Sequence, residues 1–465
     1  MNQTTSYRDL FSGLDCQVPL LDGTSRAYIN LDNAASTPAM SVVEQTVHQF
    51  LQYYSSVHRG TGFKSQLSTH AYEESRRRVT AFLGGNQREH VCIFGKNTTE
   101  MVNHLARRAP ITPDKPLVLV STMEHHSNDL PWRAVAQVLH IGVRPDGQLD
   151  EDDYDRLLKE YAGRIALVSI TGASNVTGFI NPIHRLAEKA HAAGAQIAVD
   201  CAQLAPHRKV QMGALDEPDH LDYVIISAHK MYAPFGTGAL VGRRDTFECG
   251  EPDHRGGGQV EFVSLDTVAW SGAPERDEAG SPNTVGAVAL AAAVKQLDTV
   301  GMEAVAHHEA YLTAYALEKL AGVAGLHLYG STNPARASER LGVLPLRLEG
   351  ISHFLVSSIL GHEFGIGVRS GCFCAHPYLM KLMGYSEESA AVVRETILAG
   401  DRREMPGMVR ASFGLYNTFD DVDALVEALT RISRGQYRGV YRQEVASGEY
   451  LPEGWSVNFA DYFAF

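Results

Sequence analysis

DYVIISAHKMYAPFGTGALVG, residues 222–242, decides the fold. Its apolar, β-branched run from Tyr223 to Ile226 predicts a buried strand that stops at Ser227-Ala228-His229-Lys230, where Pro234, Gly236 and Gly238 turn the chain. Lys230 therefore stands at the lip of a core. Burying a free ammonium there is costly, so the amine must reach solvent, meet an anion, or become a Schiff base. A strand-end lysine that snorkels to water is the ordinary alternative.

Working outward, the strands LVLVS, IALVSI, QIAVD, the lysine strand and GALVGR alternate with helical stretches such as HRLAEKAHAAG. That alternation predicts an α/β unit with a mostly parallel sheet covered on both faces. Ligands of such sheets bind at the carboxyl ends of the strands. Those ends carry Thr99, His125, Asn175, Asp200, Gln203, Ser227, His229 and Lys230. Upstream, VCIFGKNTTE reads as a strand, a small-residue turn and a helix start capped by Asn97 and Glu100. Free N–H groups at a helix N-terminus suit a phosphate, although many α/β turns of this kind bind nothing.

Near the start, AYINLDNAASTPAM gives a short strand and turn, with a capping box expected from Ser41 and Glu44. His58 and Arg59 read as loop residues. From about residue 300 the pattern becomes α+β: a helix in EAVAHHEAYLTAYALEKLAG, strands around LHLYG and GVLPLRLEG, a helix at HFLVSSILGHEFG and a last one in DDVDALVEALTRIS. The expected organisation is an N-terminal segment over 1–29 that joins the small domain, a large domain over 30–298, a small domain over 299–434, and an aromatic-rich extension over 435–465. The extension is expected to pack as an arm on the small domain or on a dimer partner, with a ligand-covering role as the alternative.

Composition narrows the class. The chain has 41 basic against 54 acidic side chains, a net charge of −13, and no long basic run, which argues against nucleic acid as a partner. No apolar stretch approaches the ~20 residues of a membrane span and the start lacks a secretory pattern, so the expectation is a cytoplasmic protein with no membrane partner. Cys16, Cys92, Cys201 and Cys249 are scattered, as suits reduced thiols. Cys372 and Cys374 stand together, but with His376 they lack a fourth ligand in metal spacing, so no metal is expected.

A pyridoxal phosphate site needs a lysine, a carboxylate for the pyridine nitrogen, a group stacked on the ring and a phosphate cup. Lys230, Asp200 and His125 fit the first three, and Thr99, Ser227 and His229 can ring a phosphate. Each has an ordinary alternative alone, such as a helix cap or a hydrogen-bonded core histidine.

In order along the chain, LDNAAST, NTTE, EHHSN, SNVTG, VDCAQ, SAHKMYAPFGTG, GGGQV, EAGSPNT, VRSGCFCA and VRASFGLYNT resemble the class V aminotransferase superfamily, and within it the SufS-type cysteine desulfurases. The resemblance covers roughly residues 28 to 433. It implies a fold type I pyridoxal 5'-phosphate enzyme, a homodimer, and an active site at the subunit interface. By the same resemblance Lys230 holds the cofactor, Asp200 pairs with the pyridine nitrogen, Gln203 reaches the ring hydroxyl and His125 stacks on the ring. Thr99, Ser227 and His229 bind phosphate, with Ser281 supplied by the other subunit. Asn175 and Arg410 hold the substrate carboxylate with Arg369 nearby, and Cys374 is the nucleophile.

The implied reaction converts L-cysteine to L-alanine and leaves a persulfide on Cys374 for an acceptor that the sequence does not name. Selenocysteine and cysteine derivatives stay open as substrates. So does another class V reaction, a C–S lyase, epimerase or aminotransferase, and so does a scaffold that has lost the chemistry. The GCFC motif also resembles the desulfurase domain of molybdenum-cofactor sulfurases, and Cys372 is a candidate sulfur relay, a resolving thiol, or a tolerated small residue. The segment 375–409 is longer than the family connection, with one helix expected; it is a lid, an acceptor dock or a surface insertion. Ala228, Ala233 and Phe235 stand where glycines and a small polar residue are commoner, which leaves substrate fit open.

Overall fold

The computed structural model describes residues 6–465. A seven-stranded sheet forms the large unit from β1 (His90–Gly95), β2 (Leu117–Ser121), β3 (Gln137–Ile141), β4 (Ile165–Thr171), β5 (Gln196–Asp200), β6 (Tyr223–Ser227) and β7 (Gly238–Arg243). Their order across the sheet is β1-β7-β6-β5-β4-β2-β3. The run from β3 to β6 is parallel throughout, as the β-α alternation requires. Only β7 is antiparallel, inserted between β6 and β1.

That insertion positions the site. Gly238 of β7 pairs with Ser227 on one side and Gly95 on the other, so the lysine turn and the turn after β1 meet. The approach is close enough that a Cβ on Gly238 would lie 2.5 Å from the Asn97 carbonyl carbon. Only glycine fits such a backbone contact.

Helices α1 (Ser41–Leu51), α2 (Phe63–Phe82) and α3 (Thr98–Arg108) precede α4 (Ile183–Ala192) and α5 (Thr284–Val300). The capping box expected at Ser41 does not form: Met40 occupies the cap, and Glu44 instead accepts from Ser12 Oγ at 2.6 Å. The long-range hydroxyl outcompetes the local pairing. Helix α5 runs to Val300 and breaks at Gly301, whose φ of +86° a side chain would strain.

Beyond it, α6 (Met302–Leu320), α7 (His353–Phe364) and the sheet β8 (Leu326–Leu328), β9 (Val343–Leu348), β10 (Arg369–Gly371) and β11 (Met408–Ser412) build a second core. This sheet is antiparallel, in the order β8-β9-β11-β10. The segment 375–409 holds two helices rather than the single one expected, α8 (His376–Leu382) and α9 (Glu387–Leu398), because Gly384 at φ +74° turns the chain between them. The last long helix, α10 (Phe419–Ser433), carries a capping box of Thr418 and Asp421.

Both chain ends lean on the small unit. Ile29–Asn30 pairs in parallel with Ile366–Gly367. A C-terminal hairpin of Tyr441–Gln443 and Tyr450–Pro452 lies against α7, where Ser358 Oγ donates to Tyr450 O at 2.6 Å. Residues 1–5 of the expected N-terminal segment lie outside the described residues. Among the described residues no single helix is long and apolar enough to cross a membrane.

Candidate active site

Strand ends of the large sheet and two segments of the small unit meet in one pocket. It is lined by Thr99, His125, Asn175, Asp200, Gln203, Ser227, His229, Lys230, Arg369, Cys374 and Arg410. Two predicted residues are not among the lining. Ser281 is exposed on the loop before α5, and Cys372 is buried beneath the cysteine loop.

Lys230 follows β6 on a single turn of 3-10 helix, so its half-buried side chain turns into the pocket instead of snorkelling out to bulk solvent. Burial pushes it down to about 8, opposed by the attraction of Asp200 and helped by the Arg410 charge. Asp200, the last residue of β5, has a carboxyl raised by burial, while the Ala202 N–H donated to its Oδ1 at 2.9 Å works the other way. Gln203 donates from Nε2 to Ala34 O at 2.7 Å, which fixes its amide plane.

Burial, then the Lys230 charge, pushes His125 down to about 3. The neutral ring accepts the Ser127 N–H at Nδ1 over 3.1 Å, so its proton belongs on Nε2. His229 is pushed down to about 4 by the same two causes.

The expected phosphate cup carries two orphaned hydroxyls. Asn97 Oδ1 caps α3 by accepting the Glu100 N–H at 3.0 Å, and Thr99 Oγ1 lies 2.7 Å from Ser127 Oγ. Among the described residues, the buried hydroxyls of Ser227 and Thr98 have no hydrogen-bond partner. A buried polar atom without a partner is costly, so two of them beside a helix N-terminus describe a seat for an anion. Together with a pocket-facing amine and a buried carboxylate, the residues fit pyridoxal phosphate.

On the opposite wall, Arg410 of β11 donates from Nη2 to Asp32 Oδ1 and from Nη1 to Asn175 O, both at 3.0 Å. Its guanidinium carbon sits 4.8 Å from the centre of the Phe373 ring. Arg369 reaches the same carboxylate more loosely, 3.8 Å from Asp32 Oδ2, and its side chain is 58% exposed. Sequence reasoning gave no role to Asp32, Thr98 or Phe373. Asp32 was visible inside LDNAAST, but nothing local paired it with an arginine 378 residues away.

The cysteine loop is strained and clamped. Phe373 and Cys374 both have φ of 53°, a conformation that side chains rarely adopt. Three hydrogen bonds hold it there: Ala375 N–H to Cys372 O at 3.0 Å, Asn175 Nδ2 to Phe373 O at 2.7 Å, and His126 N–H to Cys374 O at 2.8 Å. Cys374 is exposed, whereas the Cys372 thiol is buried, donates to Pro406 O at 2.9 Å, and is pushed up to about 12 by burial.

The model of the family described as Aminotransferase class-V matches residues 29–425. The chain belongs to that family. It is 35% identical over 431 residues to a cysteine desulfurase of Serratia proteamaculans, covering 90% of this chain and 97% of the relative. It is also 35% identical over 409 residues to a probable cysteine desulfurase of Halobacterium salinarum, covering 86% and 90%. Among solved structures, it is similar to the apo cysteine desulfurase of Thermococcus onnurineus, with a TM-score of 0.75 and 31% identity over 88% of this chain and 95% of that one. The cysteine desulfurase CsdA of Escherichia coli gives a TM-score of 0.74 and 28% identity over 93% and 98%. The expected class V membership and α/β architecture are borne out, and class V aminotransferases and cysteine desulfurases are pyridoxal-phosphate-dependent enzymes.

Proposed function

We propose that the protein is a pyridoxal 5'-phosphate-dependent cysteine desulfurase, with Cys374 as the sulfur-accepting nucleophile. The observation that carries this is an exposed cysteine on a strained, clamped loop lining the same pocket as a half-buried lysine. L-Cysteine and the Cys374 thiol give L-alanine and an enzyme persulfide, which balances every atom without an external oxidant.

When bound, the cofactor supplies electron withdrawal from the substrate α-carbon. Lys230 would hold it, Asp200 would face its ring nitrogen, Gln203 its hydroxyl and His125 its ring face. Thr99, Ser227 and His229 would take its phosphate together with the N-terminus of α3. Lys230 moves the α-proton: with a value of about 8, roughly a tenth of the free amine is unprotonated at about pH 7. Arg410 and Asn175 orient the substrate carboxylate, which exchanges with Asp32 for the guanidinium, and Arg369 stands at the open edge. Cys374 attacks as the thiolate; its bond to the substrate sulfur forms as the substrate carbon–sulfur bond breaks.

Burial and the hydrogen bond to Pro406 support a packing role for Cys372 rather than a relay. The exposure of Ser281, away from its own chain's pocket, supports a homodimer in which the partner's Ser281 reaches the phosphate. Six free cysteines support a reducing, cytoplasmic setting. Incubation with L-cysteine followed by peptide mass spectrometry should find one added sulfur on Cys374. If Cys374→Ala releases sulfide from L-cysteine at the wild-type rate, the reading is wrong and a C–S lyase replaces it.

A further inference from the structure

Phe373 stands next to the proposed nucleophile, and its ring covers one face of Arg410. The guanidinium carbon lies 4.8 Å from the ring centre. Phe373 is buried, lines the pocket, and takes a φ of 53° that glycine would adopt without strain. We infer that Phe373 is a positioning residue for substrate recognition: its ring fixes the plane of the Arg410 guanidinium, so that the freed edge of that group meets an amino-acid α-carboxylate. The inference rests on the reading of Arg410 as the seat of the substrate carboxylate.

The hydrogen bonds of Arg410 leave its tilt to the ring. Two in-plane bonds hold the guanidinium, from Nη2 to Asp32 Oδ1 and from Nη1 to Asn175 O, both at 3.0 Å. Its buried Nε has no partner among the described residues. An incoming carboxylate takes the place of Asp32, and that exchange removes one of the two bonds. The bond to Asn175 O that remains is a pivot about which a planar group can swing. The face contact with Phe373 opposes that swing.

An aromatic ring suits this task better than a second carboxylate. Its negative face attracts the cation without taking the N–H groups along the guanidinium edge, so the edge stays free for substrate. Asn175 ties the ring in place, because its Nδ2 donates to Phe373 O at 2.7 Å while its own O accepts from Arg410. On the other side of the turn, the His126 N–H donated to Cys374 O at 2.8 Å completes the hold. The ordinary role for such a ring is apolar filling, since Met123, Val176 and Tyr378 share a buried cluster with it. Leucine would fill that space, but it offers no face to a cation.

The test compares pyridoxal-phosphate-loaded wild type, Phe373→Leu and Phe373→Tyr for L-alanine binding by calorimetry. L-Alanine carries the α-carboxylate and no sulfur, so Cys374 chemistry does not enter. Phe373→Leu should weaken its binding by roughly 2- to 30-fold, the span of a cation–π contact. Phe373→Tyr keeps the ring and should stay within about twofold of wild type. In an Arg410→Gln background, with no cation to orient, adding Phe373→Leu should change kcat/KM for L-cysteine by less than about twofold. Thermal melting and the iodoacetamide rate of Cys374 check that each variant keeps the fold and the turn, and Phe373→Met replaces Phe373→Leu if that variant does not fold. Equal L-alanine affinity in wild type and Phe373→Leu, equal losses in Phe373→Leu and Phe373→Tyr, or an undiminished loss in the Arg410→Gln background would each overturn the inference. Persulfide on Cys374 is read separately. Its absence with the affinity pattern intact removes the desulfurase reading alone, whereas its presence with equal affinities removes this inference alone.

Discussion

At the scale of single residues, Lys230 and Cys374 are placed at a cost to the folded chain. Burial lowers Lys230 from the ordinary lysine value of 10.5 to about 8. Between those values the unfolded state binds more protons than the folded one, so this contribution to stability improves as pH rises through the window and is worst below about 8. Replacing the amine with Lys230→Met in cofactor-free protein should therefore stabilise it at about pH 7 by on the order of 2–3 kcal/mol, and the gain should vanish by about pH 10.5. Urea unfolding of stripped wild type and variant at both pH values reads the difference. The two cysteines offer a second residue-scale outcome. Iodoacetamide should label Cys374 in native enzyme and spare Cys372 until the protein is denatured, since one thiol is exposed and the other is buried and donating to Pro406. Peptide mapping decides it; equal labelling in the native state would remove the ground for separating their roles.

At the scale of elements, the meeting of β7 with the turn after β1 matters most. Gly238→Ala would drive its Cβ into the Asn97 backbone, displacing the cap of α3 and with it the proposed phosphate seat. A loss of at least about tenfold in pyridoxal phosphate affinity should follow, with destabilisation of about 1–3 kcal/mol, read by cofactor titration and thermal melting. This contact was only half legible in the sequence. The strands, the lysine turn and the Asn97 cap were readable because each is a local pattern of apolar period and punctuation. The antiparallel insertion of β7 was not, because strand order is set by long-range packing. The same physics explains the misread start of α1, where Ser12, distant in sequence, took Glu44 from its predicted cap. It also explains why Asp32 was passed over: its partner Arg410 comes from the other core. The division of 375–409 into two helices was hidden differently, since it rests on the turn at Gly384 and α9, which buries no residue, shows no clean apolar stripe.

At the scale of the whole molecule, the pocket of one chain is short of one predicted residue. Ser281 precedes α5 on an exposed loop and does not line its own chain's pocket, whereas Thr99, Ser227 and His229 do. The family motif made Ser281 readable as a phosphate ligand, but a single sequence has no symmetry in it, so only the resemblance could place it across an interface. Two inactive variants can decide whether it acts there. Lys230→Ala removes the amine, and Ser281→Asp sets a carboxylate against the phosphate, where like charge opposes binding. In a mixed dimer with sites built across the interface, the Ser281→Asp chain contributes an intact lysine and the Lys230→Ala chain contributes an intact serine, so one site is whole and the other carries both defects. Random exchange makes about half of the dimers mixed, each with one working site of two, so activity should recover to roughly a quarter of wild type. If each site uses its own chain's Ser281, every site in the mixture carries one defect and no recovery appears. Persulfide formation from L-cysteine, measured after co-refolding the two variants at equal concentration, separates these outcomes because neither parent alone can produce the signal.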